Sequence, residues 1–163
     1  MSYKNVCVAG GGVLGSQIAF QAAYCGFDVT IWLRSEGSIG RTQPKIDHVR
    51  EEYVAAIEGM ADGTGEWCPG IADSDEPFDK QAALDAVELD LAVAVADADL
   101  VIESMAEDTQ AKIEFYQKLA PVLPAKTVVV TNSSTLLPST FAKHTGRPEK
   151  YLSLHFANSI WKN

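Results

Sequence analysis

Three glycines set between an apolar run and an apolar-spaced helical segment constrain this chain more than any other feature. Val6 to Ala9 reads as a buried strand, and Gly10, Gly12 and Gly15 follow it at the spacing of the dinucleotide-binding fingerprint. The first glycine permits the tight turn out of the strand. The second leaves the backbone open to a pyrophosphate that a Cβ would repel, and the third lets the next helix pack closely. At the helix start, Val13 and Leu14 bring free backbone N–H groups and the positive end of the helix dipole to the phosphates. That helix is expected from Val13 to Cys25, with Leu14, Ile18, Ala22 and Cys25 on one stripe and Gly26 as its stop. A second apolar run, Phe27 to Leu33, completes a βαβ unit.

The rest of the chain continues the alternation. A helix is expected from Pro44, suited to a first turn, to about Met60. Residues 61–77 read as a loop. Asp79 is placed to cap a helix running to Ala86, and Val87 to Leu89 reads as a short strand. Leu91 to Ala96 reads as one or two helical turns, and Asp99 to Glu103 as a buried strand. Asp108 caps a helix carrying Ile113, Tyr116 and Leu119, which Pro121 and Pro124 stop. Thr127 to Thr131 is a β-branched strand, Pro138 to Lys143 a short helix, and Tyr151 to Phe156 a final strand. Strands alternating with helices imply an α/β fold, a doubly wound parallel sheet of the Rossmann type. Ligands of such sheets bind at the carboxyl ends of the strands, where Gly10, Leu33, Glu103, Asn132 and His155 fall.

Bulk properties exclude several alternatives. The 163 residues, 47% of them apolar, read as one dinucleotide-binding domain, 1–163. No apolar run reaches the ~18 residues of a membrane span. The first strand begins too near Met1 to leave room for a signal peptide, so a cytoplasmic protein is expected. Three cysteines without metal-type spacing imply reduced thiols and no metal site. Cys7 and Cys25 fall on expected core positions, and Cys68 on a loop. A net charge of -9 argues against nucleic acid. Most of the acids lie between Glu51 and Asp108, whereas Arg34, Arg41, Lys45 and Arg50 cluster just after the second strand. That basic cluster suits a phosphorylated small molecule; a solvated helix face is the alternative.

One position bears on coenzyme choice. NAD-binding domains usually place an acid at the end of the second strand to hold the ribose hydroxyls. Leu33 stands there, followed by Arg34 and Ser35. A guanidinium and a hydroxyl suit a 2′-phosphate, so NADP is favoured over NAD.

Segments 10–19 (GGGVLGSQIA), 98–108 (ADLVIESMAED), 131–136 (TNSSTL) and 154–158 (LHFAN) together resemble the L-3-hydroxyacyl-CoA dehydrogenases, in order and spacing. A two-helix insertion after the second strand fits the same family. The resemblance implies hydride transfer between NAD(P) and the C3 hydroxyl or ketone of a 3-hydroxyacyl-CoA. His155 then matches the catalytic histidine, which takes the hydroxyl proton or returns it, chemistry that imidazole performs near neutral pH. Ser134 matches the serine that hydrogen-bonds the reacting oxygen, and Asn132 begins its loop. Glu103 and Lys112 match residues near the nicotinamide side of the coenzyme, and Asn158 follows the histidine as in the family. Ser133 to Thr135 have a second reading as caps of the next turn. His48 and His144 are expected on the surface.

Two departures sit beside the histidine: Ser159 replaces a proline and Ala157 an aromatic residue. They keep open a smaller substrate, a sugar acid or short 3-hydroxy acid. A non-catalytic nucleotide-binding module and a flavin site are the further readings. The family continues past its histidine into an orienting glutamate and a helical domain that closes the cleft and forms most of a homodimer. Neither is expected within these residues, so binding without appreciable turnover is the expectation for the chain alone.

Overall fold

The computed structural model describes residues 3–72 and 87–162. Six parallel strands form one sheet, β1 (Asn5–Ala9), β2 (Asp28–Trp32), β3 (Val87–Glu88), β4 (Leu100–Glu103), β5 (Val128–Thr131) and β6 (Tyr151–Ser153). Their order across the sheet is β3-β2-β1-β4-β5-β6. This is the doubly wound order with its switch point between β1 and β4, at the carboxyl edge where such folds take their ligands. The alternation of β1 explains the two cores. Val6 and Val8 face the side covered by α1 (Val13–Tyr24) and α2 (Glu36–Asp62), and Cys7 and Ala9 face the other. That second side is covered by α4 (Leu91–Ala94), α5 (Thr109–Leu119) and α6 (Pro138–Phe141). A one-turn helix, α3 (Pro69–Ala72), follows α2.

The βαβ unit forms as the sequence indicates, with one correction. Cys25 is exposed, because it is the C-cap of α1 and Gly26 turns the chain away at φ +80°. The buried part of α1 is its middle, Gly15 to Phe20, which is enclosed on several sides. Cys68 is buried on its loop. The helix expected from Asp79 lies outside the described residues.

The larger correction is α2, which begins eight residues before Pro44. Pro44 leaves the Gly40 carbonyl without its helical donor, at a cost of ~3 kcal/mol. Ile46, Val49 and Tyr53 lie on the buried face, each at most 3% exposed. Burying three such side chains contributes roughly 1.5–3 kcal/mol each, so tertiary burial outweighs the local break. Thr42 secures the first turns: its hydroxyl reaches the Ser38 carbonyl (2.8 Å) and the Gly11 carbonyl (3.1 Å) in the glycine turn.

Asp108 caps α5 by accepting from the Ala111 N–H at 2.7 Å, as read from the sequence. The last strand is shorter than expected. After Ser153 the chain leaves the sheet and turns over α1, where the Ser159 N–H donates to Gln17 Oε1 at 2.9 Å. Trp161 then packs on Tyr53 in the α1–α2 core. Among the described residues no helix is long and apolar enough to cross a membrane.

Candidate active site

Backbone geometry builds the first half of the site. Gly10 leaves β1 at φ +117°, and a Cβ there would lie 2.6 Å from the Ser104 carbonyl oxygen. The turn therefore presses directly on the segment after β4. A Cβ at Gly15 would lie 2.1 Å from the Gly10 carbonyl oxygen. So the close approach that Gly15 permits is between α1 and the glycine turn itself. Gly12, the N-cap of α1, has nothing within 4 Å of where its Cβ would stand. Open backbone at a helix N-terminus is what a diphosphate requires.

This turn forms one wall of a cleft of about 350 Å³. Ser104 and Met105 line the far side, and Arg34, Arg41 and Lys45 line the outer end. Arg34 and Arg41 are exposed, and Arg41 donates to Ser38 Oγ at 2.9 Å. Lys45 reaches back to the Arg41 carbonyl. No carboxylate lines the cleft among the described residues. Leu33 is buried, 2% exposed, at the position where NAD sites carry an acid. Ser35 is the N-cap of α2, with its hydroxyl 3.1 Å from Ser38 Oγ. The described residues that meet here fit a dinucleotide: an open phosphate cradle, cationic groups at one end and, among them, no repelling acid.

The second half lies at the ends of β5 and β6. His155 Nε2 is 2.8 Å from Ser134 Oγ, and both residues are exposed. Three bonds hold the histidine segment in place. The Leu154 N–H donates to the Thr131 carbonyl at 2.9 Å, the Phe156 N–H to Asn132 Oδ1 at 2.7 Å, and the Ser159 N–H to Gln17 as above. Asn132 also donates to Ser104 Oγ at 3.4 Å, which joins this half to the cleft. Asn158 is exposed on the following turn and makes no described hydrogen bond to the pair.

Two expected coenzyme contacts are corrected. Glu103 and Lys112 form an ion pair at 2.7 Å with both side chains fully buried. The Glu103 carboxylate also accepts from the Met105 N–H (2.7 Å), Tyr116 OH (3.0 Å) and Thr131 Oγ1 (2.7 Å). Its oxygens are enclosed by protein donors, leaving neither side chain a surface to offer a ligand. Burial and the neighbouring Glu103 charge push the Tyr116 phenol far above its ordinary range, so it donates here. A signal existed: Lys112 continues the stripe Phe115, Tyr116 and Leu119, and a lysine on a buried stripe needs a buried acid.

One residue at the site was not read from the sequence. Glu107 Oε2 accepts from Ser133 Oγ (2.6 Å) and Thr135 Oγ1 (3.0 Å), and Oε1 lies 3.7 Å from Lys112 Nζ. Desolvation raises its pKa, but those hydroxyls, the Lys112 charge and the Ser134 N–H outweigh it and hold the carboxyl below its ordinary value. No local pattern marks it, because the hydroxyls it accepts lie more than twenty residues away.

A glycine-turn cradle at the switch point of a parallel sheet defines a dinucleotide-binding domain. The sequence model for the 3-hydroxyacyl-CoA dehydrogenase NAD binding domain matches residues 5–162, and the chain belongs to that family. It is similar to the human mitochondrial hydroxyacyl-coenzyme A dehydrogenase, 27% identical over 96% of this chain and 47% of that protein. The 3-hydroxybutyryl-CoA dehydrogenase of Clostridioides difficile is 26% identical over 96% of this chain and 50% of that protein. Among solved structures, a diketoreductase described as acting on dicarbonyl compounds is 42% identical, with a TM-score of 0.75, over 100% of this chain and 53% of its own. The chain thus spans about half the length of the relatives it matches.

Proposed function

We propose that this chain is the coenzyme-binding and proton-transferring half of a dehydrogenase acting at the C3 hydroxyl or ketone of a 3-hydroxyacyl-CoA. The observation that carries the reading is the Ser134–His155 contact at 2.8 Å, joined through Asn132 and Ser104 to the nucleotide cleft. In the oxidative direction His155 Nε2 accepts the proton of the substrate hydroxyl, and in reduction it returns it. The Ser134 hydroxyl orients the reacting oxygen and the imidazole together. Asn132 and Gln17 hold the histidine segment so that its ring meets the serine without reorganisation. The bound nicotinamide supplies the hydride acceptor or donor. The names of the relatives support an acyl-CoA substrate, and the intact protein is read as a cytoplasmic homodimer.

In this reading NADP is the favoured coenzyme and NAD the alternative. Gly12, Val13 and Leu14 hold the diphosphate, and Arg34, with Ser35 behind it, meets the 2′-phosphate. Arg41 and Lys45 add charge from α2. Support comes from three cations and, among the described residues, no acid along the cleft, and from an apolar Leu33 at the ribose position. A short dicarbonyl substrate is the second reading, favoured by the 42% identity to the diketoreductase and by Ala157 and Ser159 beside the histidine.

Titration of the chain with NADPH and NADH, followed by tryptophan fluorescence because Trp32 lines the cleft, tests the coenzyme reading. NADPH should bind more tightly, and Arg34→Asp should weaken it roughly ten-fold or more while sparing NADH. No binding of either coenzyme would sink the reading. The product of the complete gene, assayed with acetoacetyl-CoA and a short diketone, separates the substrates, and His155→Gln should lower turnover by roughly 10²–10⁴ with either.

A further inference from the structure

We infer that Gln17 is a positioning residue that carries the seating of the coenzyme at the start of α1 to the imidazole of His155. The inference rests on the reading of the glycine turn as the coenzyme cradle and of His155 as the proton-transfer residue.

The chain after β6 is pinned at two points and bent sharply between them. At one end the Phe156 N–H donates to Asn132 Oδ1 at 2.7 Å. At the other, Ile160 and Trp161 are buried in the α1–α2 core, so close to α3 that a Cβ on Gly70 would lie 2.9 Å from Trp161 Cα. Between them Ser159 stands at φ +58°, the single non-glycine residue with positive φ among the described residues. L side chains rarely adopt that backbone, which persists only where the surroundings over-determine it. Here the Ser159 N–H donates to Gln17 Oε1 at 2.9 Å, across 142 positions of sequence. A proline could not stand in that turn, since its ring fixes φ near about −65° and removes the donor.

Gln17 reaches this turn from the helix that cradles the coenzyme. It is 7% exposed and lies roughly 7 Å beyond Gly12 along the axis of α1. Among the described residues no side chain caps the N-terminus of α1, and its first turn carries no acid. Its leading N–H groups are thus left to the diphosphate, which completes the helix as a capping residue would. Order imposed on that first turn passes to the next, because the Ser16 N–H is bonded to the Gly12 carbonyl at 2.9 Å and the middle of the helix is buried. From Gln17 it passes to Ser159, and along a segment pinned at Asn132 and Trp161 to His155. Gln17 acts through the backbone of that segment and needs no contact with the reacting atoms.

The test uses the chain with Gln17→Leu, close in volume, Gln17→Glu, which keeps an acceptor, and Ser159→Gly, which keeps the donor and suits the left-handed backbone. The probe is ADP-ribose 2′-phosphate, which carries the diphosphate without the nicotinamide ring, so no ring effect reaches the histidine directly. Imidazole ¹⁵N spectra follow His155, and amide hydrogen exchange follows position 159, each with and without the probe. In wild type the probe should move the imidazole signal and slow exchange at 159. In Q17L that exchange should rise at least ~10-fold and the imidazole shift should fall below about half its wild-type size, while probe affinity changes by less than about three-fold. Q17E should restore much of the shift, and S159G should keep exchange at 159 within ~3-fold of wild type. In the complete gene product Q17L should lower kcat by roughly 10–100-fold with coenzyme KM within about three-fold. A wild-type imidazole unmoved by the bound probe, or a Q17L chain with wild-type shift and exchange, would overturn the inference and leave the site reading standing. Exchange in S159G as fast as in Q17L would overturn it too, since the donor would then not be what Gln17 holds. So would a loss of probe affinity beyond about ten-fold in Q17L, which would make Gln17 a coenzyme contact. Failure of wild type to bind the probe or NADPH, or an imidazole insensitive to S134A, would instead refute the reading beneath it.

Discussion

Replacing Lys112 with methionine would strand a carboxylate inside the sheet. The lysine and glutamate are both fully buried, with Lys112 Nζ at 2.7 and 2.8 Å from the two Glu103 oxygens. Methionine fills the same unbranched stem among Phe115, Tyr116 and Leu119, so packing changes little and the charge effect is isolated. Removing one partner of a buried pair destabilises by about 3–5 kcal/mol. Glu103 keeps three donors, the Met105 N–H, Tyr116 OH and Thr131 Oγ1, which argues for the lower end, about 3 kcal/mol. At 2–4 °C per kcal/mol for a chain of this size, the melting temperature should fall by roughly 6–12 °C. Urea unfolding followed by circular dichroism measures the free energy, and a thermal melt the temperature. The double variant E103Q/K112M removes both charges and keeps an acceptor for Tyr116 and Thr131, so it should recover to within ~1 kcal/mol of wild type. A K112M loss below ~1 kcal/mol, or a double variant no better than the single one, would refute the claim that charge burial governs this layer.

Two further substitutions separate architecture from ligand contact. Gly15→Ala places a methyl group 2.1 Å from the Gly10 carbonyl oxygen, so it should destabilise by roughly 1–3 kcal/mol as α1 is pushed off the turn. Gly12→Ala meets nothing within 4 Å, so it should leave thermal stability nearly unchanged while weakening coenzyme binding; thermal melts with and without NADPH distinguish the two. Asp99 joins strand ends by accepting the Asn5 and Lys4 N–H groups at 3.0 and 2.9 Å and pairing with Lys126 at 2.6 Å. The Asn5 N–H, the Lys126 ammonium and the Lys4 N–H hold its carboxyl well below the usual carboxylate range. Its folded pKa lies below its unfolded one, so its contribution is present at neutral pH, begins to shrink as pH falls below about 4, and is lost only in strong acid. Urea midpoints of wild type and Asp99→Asn should therefore differ at pH 7 and converge toward pH 2; a constant gap would contradict this origin.

Local chemistry makes part of the site legible in the sequence. The glycine turn, the Asp108 cap and the strand ends each follow from short-range rules of backbone geometry and alternation. Those rules also put Asn132 and His155 at one edge of the sheet, since the strands expected to end there run parallel. The start of α2 was not legible, because Pro44 reads as a boundary unless the burial of Ile46, Val49 and Tyr53 is known. Glu107 was hidden for the same kind of reason: the hydroxyls it accepts are brought to it by the pairing of β4 with β5.

The amino-acid order by itself determined a parallel α/β sheet, a dinucleotide turn and the edge at which chemistry would gather. The signals that announce them, alternation along a strand, helical spacing and turn glycines, are carried by near neighbours in the chain. The fate of the charged groups was decided only when the sheet closed. Packing drove Glu103 and Lys112 together out of water and left Glu107 half-exposed against the serine loop. Burial is a property of the assembled layers, and a sequence shows only which side chains will need a partner once it happens.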